Sequence, residues 1–214
     1  MIAVLDYGIG NLRSAEKALQ RTGARARLVA DPDEAAAADA VVLPGVGAFG
    51  ACARALRRTG LWEAARAAIE DGRPFFGICV GFQLLYEGSD EDPAEAGFGV
   101  LPGRVRRIGG EVKLPQMQWN RLEPVGDDDA LPAMLAGVPE PTWVYFVHSY
   151  APEASAETTS VCDYGGPVVA AAERGPLWGA QFHPEKSGTT GLAVLANFTR
   201  AATGATGATV ATGE

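Results

Sequence analysis

Short unbroken apolar runs punctuate the first half of the chain: residues 2–5 (Ile-Ala-Val-Leu), 40–43 (Ala-Val-Val-Leu) and 75–78 (Phe-Phe-Gly-Ile). They close on Asp6-Tyr7-Gly8, Pro44-Gly45 and Cys79 respectively. A strand covered on both faces has no polar side to show, so such runs predict the buried strands of a parallel sheet. Between them apolar positions recur with a helical period. Residues 12–22 form an amphipathic stretch stopped by Gly23, residues 49–69 a longer one broken near Gly60, and a further helix opens over 82–86. Residues 26–29 read as a weaker strand. Strands alternating with helices predict an α/β fold, a central, mostly parallel sheet with helices on both faces.

The second half is richer in strand patterns, over 103–108, 143–147, 159–162, 168–172 and 177–182, before a last helix from about 192 to 200. Two acidic, turn-rich segments, 89–95 and 126–129, read as surface loops. From Thr203 onward the chain is Gly, Ala and Thr with a single Val210 and a terminal Glu214. That composition has too little apolar mass to pack, so 203–214 are expected to be a disordered tail behind one domain spanning 1–202.

Composition removes several classes of function. With 47% hydrophobic and 21% charged residues, the chain has the balance of a globular protein. A net charge of −8 argues against nucleic acid as a partner, since Arg57-Arg58 and Arg106-Arg107 are isolated pairs rather than a basic face. No apolar run approaches the length of a membrane span, and the run after Met1 is too short and uncharged for a secretory leader. The three cysteines, Cys52, Cys79 and Cys162, are odd in number and scattered, which suggests neither disulfides nor a metal site. A reducing compartment, the cytoplasm, is expected.

The chemistry gathers at a few turns. Gly77-Ile-Cys79-Val-Gly81 has small residues two positions either side of a nucleophile, between a strand and a helix. A sharp bend there would lift the thiol clear of the sheet and set it at a helix N-terminus, where a thiolate is favoured. The other cysteines lack such surroundings and are expected to tolerate substitution. A thiolate also needs a base, and the chain has two histidines. His183 follows an apolar strand and has a carboxylate two residues on, Glu185, free to curl back and orient the imidazole. His148 ends its own strand and is a second candidate, but sequence order and the adjacent Glu favour His183. Pro44-Gly-Val-Gly-Ala-Phe-Gly50 follows a strand expected beside that of Cys79. Its peptides, with the Val80 amide, could supply the two N–H donors that acyl transfer requires. Gly8-Ile-Gly-Asn-Leu-Arg13 has Arg where a dinucleotide loop has its third glycine, so no nucleotide cofactor is expected, and no metal.

Gly77-Ile-Cys79-Val-Gly-Phe-Gln83 and Phe182-His183-Pro-Glu185 resemble the hallmark motifs of the class I, triad-type glutamine amidotransferases. Residues 6–14, 44–50, 145–150 and 183–187 are similar to one branch, the glutaminase subunits of imidazole glycerol phosphate synthases of histidine biosynthesis. The resemblance spans residue 2 to about 200. It implies a flavodoxin-like fold, Cys79, His183 and Glu185 as the triad, and glutamine as substrate. It further implies that Gly45, Val46, Gly47, Val80, Gln83, His148 and Ser149 hold glutamine and its oxyanion. The implied partner is a cyclase (β/α)8 barrel on a separate polypeptide, docked over Asp6, Asn11, Arg13, Trp119, Tyr145 and Lys186. It receives ammonia to make imidazole glycerol phosphate and an aminoimidazole carboxamide ribotide. One stretch departs: Pro115-Gln-Met-Gln-Trp-Asn120 stands where the family commonly has Pro-His-Met-Gly-Trp-Asn. Three readings compete with this one. They are the glutaminase subunit of another amidotransferase, a free-standing cysteine hydrolase of the same fold, and a scaffold that keeps the fold without using the triad.

Overall fold

The apolar runs become the middle of a sheet. The computed structural model describes residues 1–126 and 131–204. In chain order the first half is β1 (Ile2–Leu5), α1 (Leu12–Arg21), β2 (Ala26–Val29), α2 (Pro32–Ala36), β3 (Ala40–Gly45), α3 (Phe49–Arg58), α4 (Leu61–Glu70), β4 (Phe75–Cys79) and α5 (Val80–Gln83). The second half adds nine of the strands: β5 (Gly88–Ser89), β6 (Asp92–Ala96), β7 (Val105–Arg107), β8 (Gln116–Arg121), β9 (Glu123–Pro124), β10 (Trp143–His148), β11 (Tyr150–Pro152), β12 (Thr158–Asp163) and β13 (Pro167–Arg174). It closes with β14 (Leu177–Ala180) and α6 (Gly188–Thr203).

The main sheet has the order β2-β1-β3-β4-β14-β13-β12-β9. Its first five strands are parallel and the rest antiparallel. Every residue of β1, β3, β4 and β14 is buried, the burial that continuous apolar runs require. Helices α1 and α6 pack together on one face, and α2, α3 and α4 on the other. Chain direction reverses between β1, whose neighbour in sequence lies to one side, and β3, whose successor lies to the other. At such a switch point the loops leaving the strand C-termini diverge and open a crevice. The loops after β1, β3 and β4 carry the Asp6–Arg13 stretch, the glycine loop and Cys79.

Several expectations shift. The segment 89–95, read as a loop, overlaps the end of β5 and most of β6, which join β7 and β11 in a four-stranded sheet of order β11-β7-β5-β6. Strand β6 is its edge, where Pro93 is tolerated, and Arg54 and Arg57 of α3 hold it through Asp92 and Glu95. Strand β8 is not among the expected strands: its residues, Gln-Met-Gln-Trp-Asn-Arg, are mostly polar, and its apolar members Met117 and Trp119 point outward, so no buried apolar face marks it and antiparallel pairing to β10 holds it. The helix expected over 82–86 is a single turn at Val80–Gln83. Helix α6 starts four residues before the expected 192 and reaches Thr203, one residue into the expected tail, where Gly204 ends it at φ 65. The remaining expected tail, 205–214, and loop residues 127–129 lie outside the described residues. Among the described residues no helix is long and apolar enough to cross a membrane.

Candidate active site

Cys79 is the last residue of β4 and sits at φ 55, ψ −112, the one non-glycine residue with positive φ among those described. An L-residue there is strained, and it persists only where its surroundings over-determine it. The surroundings are tight. A Cβ on Gly81 would lie 1.8 Å from the Leu43 carbonyl oxygen, and one on Gly77 2.7 Å from the Gly81 carbonyl oxygen. Both glycines are therefore required by close backbone approach, and together they turn the chain so that Cys79 faces the crevice. The helix behind it, α5, has only four residues. Few peptide dipoles align there, so stabilisation of a thiolate rests on local N–H groups and side chains more than on a macrodipole.

His183 follows β14, which pairs in parallel with β4, and this register carries the imidazole to the thiol. It is 1% exposed, and its Nδ1–H donates to Glu185 Oε1 at 2.8 Å. The same oxygen accepts from Asn11 Nδ2 at 3.2 Å, so a residue expected at a partner surface also steadies the orienting carboxylate. The His183 backbone is fixed on both sides. Its N–H donates to the Tyr145 carbonyl at 3.0 Å, and its carbonyl accepts from Ser187 Oγ at 2.7 Å. Nε2 is buried and makes no hydrogen bond. Burial alone would lower the imidazole pKa, but Cys79 and Glu185 outweigh it and raise it to about 10. Both neighbours thus favour the doubly protonated ring, with one proton pinned by Glu185.

The cleft over these groups has a volume of about 770 Å³, inside the range that takes a small polar ligand. Of the residues expected to hold substrate and oxyanion, Val46, Gly47, Val80, Gln83, His148 and Ser149 line it with Cys79 and His183. Gly45 lies just beneath, buried and in register with Cys79. Gln83 spends its amide nitrogen inside the protein, donating to the Tyr150 carbonyl at 2.9 Å and to Gln181 Oε1 at 3.0 Å. Only its Oε1 is left for a ligand. Gln181 in turn directs Nε2 at Cys79 Sγ, 3.7 Å away.

His148 lines the cleft with its ring orientation set from behind. Its Nδ1 lies 2.9 Å from the Tyr150 carbonyl, which can only accept, so Nδ1 carries the hydrogen. Burial depresses its pKa to about 4, with His183 adding to the effect. Nε2 is consequently a bare lone pair at neutral pH. His148 can accept a hydrogen bond from a ligand but cannot donate one to an oxyanion.

Two residues, one lining the cleft and one buried behind Cys79, escaped sequence reasoning. Glu91 lines the cleft, inside the segment read as loop, with Oε2 accepting the Phe49 N–H at 2.8 Å at the start of α3. Gln181 lay in plain view beside His183, but nothing in the linear pattern says that its amide turns toward the thiol. On the outer side of His183, Trp119 and Tyr145 meet edge to face with centroids 6.3 Å apart, and Lys186 Nζ lies 5.8 Å from the Tyr145 ring centroid. Asn11 and Lys186 reach the cleft; Asp6, Arg13, Trp119 and Tyr145 are not among its lining residues.

Comparison with known proteins agrees with this geometry. A family model described as glutamine amidotransferase class-I matches residues 3–202. The imidazole glycerol phosphate synthase subunit HisH of Synechococcus sp. (strain JA-3-3Ab) is 48% identical over 202 residues, covering 92% of each chain. That of Symbiobacterium thermophilum is 46% identical over 201 residues, covering 93% of each. A crystal structure of a glutamine amidotransferase superimposes with a TM-score of 0.73 at 23% identity, covering 94% of this chain and 98% of that one, a likeness of fold. The elbow at Cys79, the buried His183–Glu185 pair and these matches across nearly the whole described chain lead to one conclusion: the chain belongs to the class I glutamine amidotransferase family.

Proposed function

We propose that this chain is the glutaminase subunit of an imidazole glycerol phosphate synthase of histidine biosynthesis. It hydrolyses glutamine to glutamate and ammonia, and passes the ammonia to a separate cyclase barrel. The observation that carries the chemistry is the hydrogen-bonded His183–Glu185 pair set against Cys79 on its strained bend. The branch is supported by the relatives, which are named as subunits of that synthase. In this reading the Cys79 thiolate attacks the glutamine carboxamide carbon, and negative charge develops on its oxygen. N–H groups of Val80 and the 45–47 loop receive that charge. The C–N bond breaks as the nitrogen takes the proton from His183 Nε2, releasing ammonia and leaving a thioester. His183 then removes a proton from water, which attacks the thioester; the C–S bond breaks to give glutamate, and the thiolate and protonated His183 are restored. The setting implied is the cytoplasm.

Substrate recognition follows from the charges of the cleft. Glutamine carries an α-ammonium group, and Glu91 supplies a carboxylate to the cleft with one oxygen already held by a backbone N–H. Gln83 Oε1 adds an acceptor. The Glu91→Gln variant is expected to raise KM for glutamine roughly tenfold or more with a smaller change in kcat, because a charge-assisted contact is lost before the chemical step. Steady-state glutaminase kinetics of the complex check it, and an unchanged KM would remove Glu91 from the binding site.

The cyclase is proposed to dock over the outer face of the triad. Met117, Trp119 and Trp143 on β8 and β10 are 61%, 49% and 47% exposed, an apolar patch uncommon on a surface meant only for water. It adjoins Tyr145, Lys186 and Asn11, with Asp6 and Arg13 extending it. Docking there would shield the cleft so that ammonia leaves into the partner rather than into water, where it would be protonated and lose its nucleophilicity. The isolated chain is therefore expected to be a poor glutaminase. Glutamine hydrolysis by the chain alone, by the complex, and by the complex with acceptor substrate should rise in that order. A step of a hundredfold or more is expected overall if an oxyanion donor is aligned only in the complex. Equal turnover in all three would instead favour a free-standing hydrolase.

A further inference from the structure

Two buried side chains beneath the cleft take no part in the chemistry above, yet both end on the glycine loop. Tyr7 follows β1 and is 3% exposed; Cys52 sits in the first turns of α3 and is fully buried. Tyr7 Oη donates to the Pro44 carbonyl at 2.6 Å. Cys52 Sγ donates to the Val46 carbonyl at 3.3 Å. A Cβ on Gly45 would come within 3.0 Å of Tyr7 Oη, so the phenol lies directly against the loop backbone. The two bonds fall on alternate peptides. A peptide is planar, so holding its carbonyl also fixes the direction of its N–H. The Pro44 carbonyl sets the N–H of Gly45, and the Val46 carbonyl sets that of Gly47. Between them the Gly45–Val46 peptide has neither side chain on it.

We infer that Tyr7 and Cys52 are positioning residues that clamp the two peptides flanking Gly45–Val46, and so confine the freedom of the oxyanion loop to that single peptide. The inference rests on the glutaminase reading of Cys79. Without the Cys52 bond, the Val46–Gly47 peptide could rotate too, since Gly47 is at φ 81 with open space around its Cα. The N–H groups would then spread over more directions, and fewer molecules would present them correctly when the oxyanion forms. Both groups keep the proton they donate. Burial raises the Cys52 thiol to about 11 and pushes the Tyr7 phenol well above its usual value. Under this inference Cys52 tolerates serine, whereas alanine should cost turnover because it removes the bond to the loop.

The test uses the full chain in complex with its cyclase and reads two reactions of Cys79. Glutamine hydrolysis needs the oxyanion donors; alkylation by iodoacetamide needs the thiolate but forms no oxyanion. Cys52→Ala is expected to lower kcat for glutamine about fivefold with KM little changed, the effect of one neutral hydrogen bond. Tyr7→Phe, which keeps the ring and removes only the donor, should do the same, and the pair together should cost on the order of thirtyfold. Cys52→Ser retains a donor and should stay within about twofold of the wild type. Alkylation of Cys79 should proceed at the wild-type rate throughout. Unchanged kcat in Cys52→Ala and Tyr7→Phe, a rise in kcat, or a fall matched by slower alkylation overturns the clamp. If Cys52→Ala does not fold, Tyr7→Phe and Cys52→Ser decide the matter. Absence of glutamine turnover in the wild-type complex overturns the glutaminase reading as well, whereas turnover with unaffected variants overturns only the clamp.

Discussion

Replacing Cys79 with alanine should abolish glutamine-dependent synthesis by the complex while leaving synthesis from added ammonium salts intact. The thiol is the only nucleophile at the bend, and no neighbour can substitute for it. The other two cysteines are buried elsewhere, with thiols raised to about 11 by burial and hence held protonated. Loss of a triad nucleophile costs on the order of 10⁴-fold or more in turnover, which takes glutaminase activity below ordinary detection. Ammonia supplied from solution bypasses the whole site, so the cyclase reaction reports that the complex still assembles. Substantial glutamine hydrolysis by Cys79→Ala would show that the bend at φ 55 serves some other end. Loss of the ammonium-dependent reaction would indicate damage to the partner contact instead.

The second large effect concerns the His183–Glu185 pair, where ranking matters more than size. His183→Asn removes the proton carrier and should be nearly as damaging as loss of the nucleophile. Glu185→Gln leaves the imidazole in place and should be roughly 10- to 100-fold milder, as an orienting group generally is. The structure adds a reason for the milder outcome. His183 is also held through its backbone by Tyr145 and Ser187, so its position does not depend on the carboxylate alone. Glu185 mainly fixes which nitrogen points at Cys79 and supports its charge. Measured as glutamine turnover in the complex, a Glu185→Gln defect exceeding that of His183→Asn would reverse these roles. The pKa of about 10 gives a further expectation. Because Glu185 is one of the groups that raise it, replacing it with neutral Gln should lower the pH at which the imidazolium loses its proton.

Much of this site could be read before any coordinates. The strand runs at 2–5, 40–43 and 75–78 become β1, β3 and β4 because a doubly covered strand must be apolar throughout, which is a local property. The elbow was equally legible, since glycines two residues either side of Cys79 are the local consequence of a backbone that leaves no room for a Cβ. The His-Pro-Glu sequence likewise announced a pair whose members lie too close in the chain to avoid one another. Parallel order in the first half followed from the alternation of strand and helix.

Other features depended on residues far apart in sequence meeting in space. Strand β6 is polar and contains a proline, and its pairing is secured by Arg54 and Arg57 from a helix nearly forty residues away in sequence. That placement carries Glu91 into the cleft. The tautomer of His148 was set by a carbonyl two residues on, but only because the chain bends back between β10 and β11. Gln181 turned toward Cys79, Asn11 toward Glu185 and Tyr7 toward the glycine loop, each bond linking distant segments, while Cys52 reaches the same loop from the first turn of the helix that follows it. The sequence by itself determined the bend at Cys79, the closeness of His183 to Glu185 and the sheet, because steric demand and burial act on neighbours along the chain. The tertiary structure alone decided which polar side chains serve the site, because a hydrogen bond depends on where two groups are brought together, and residue type leaves that open.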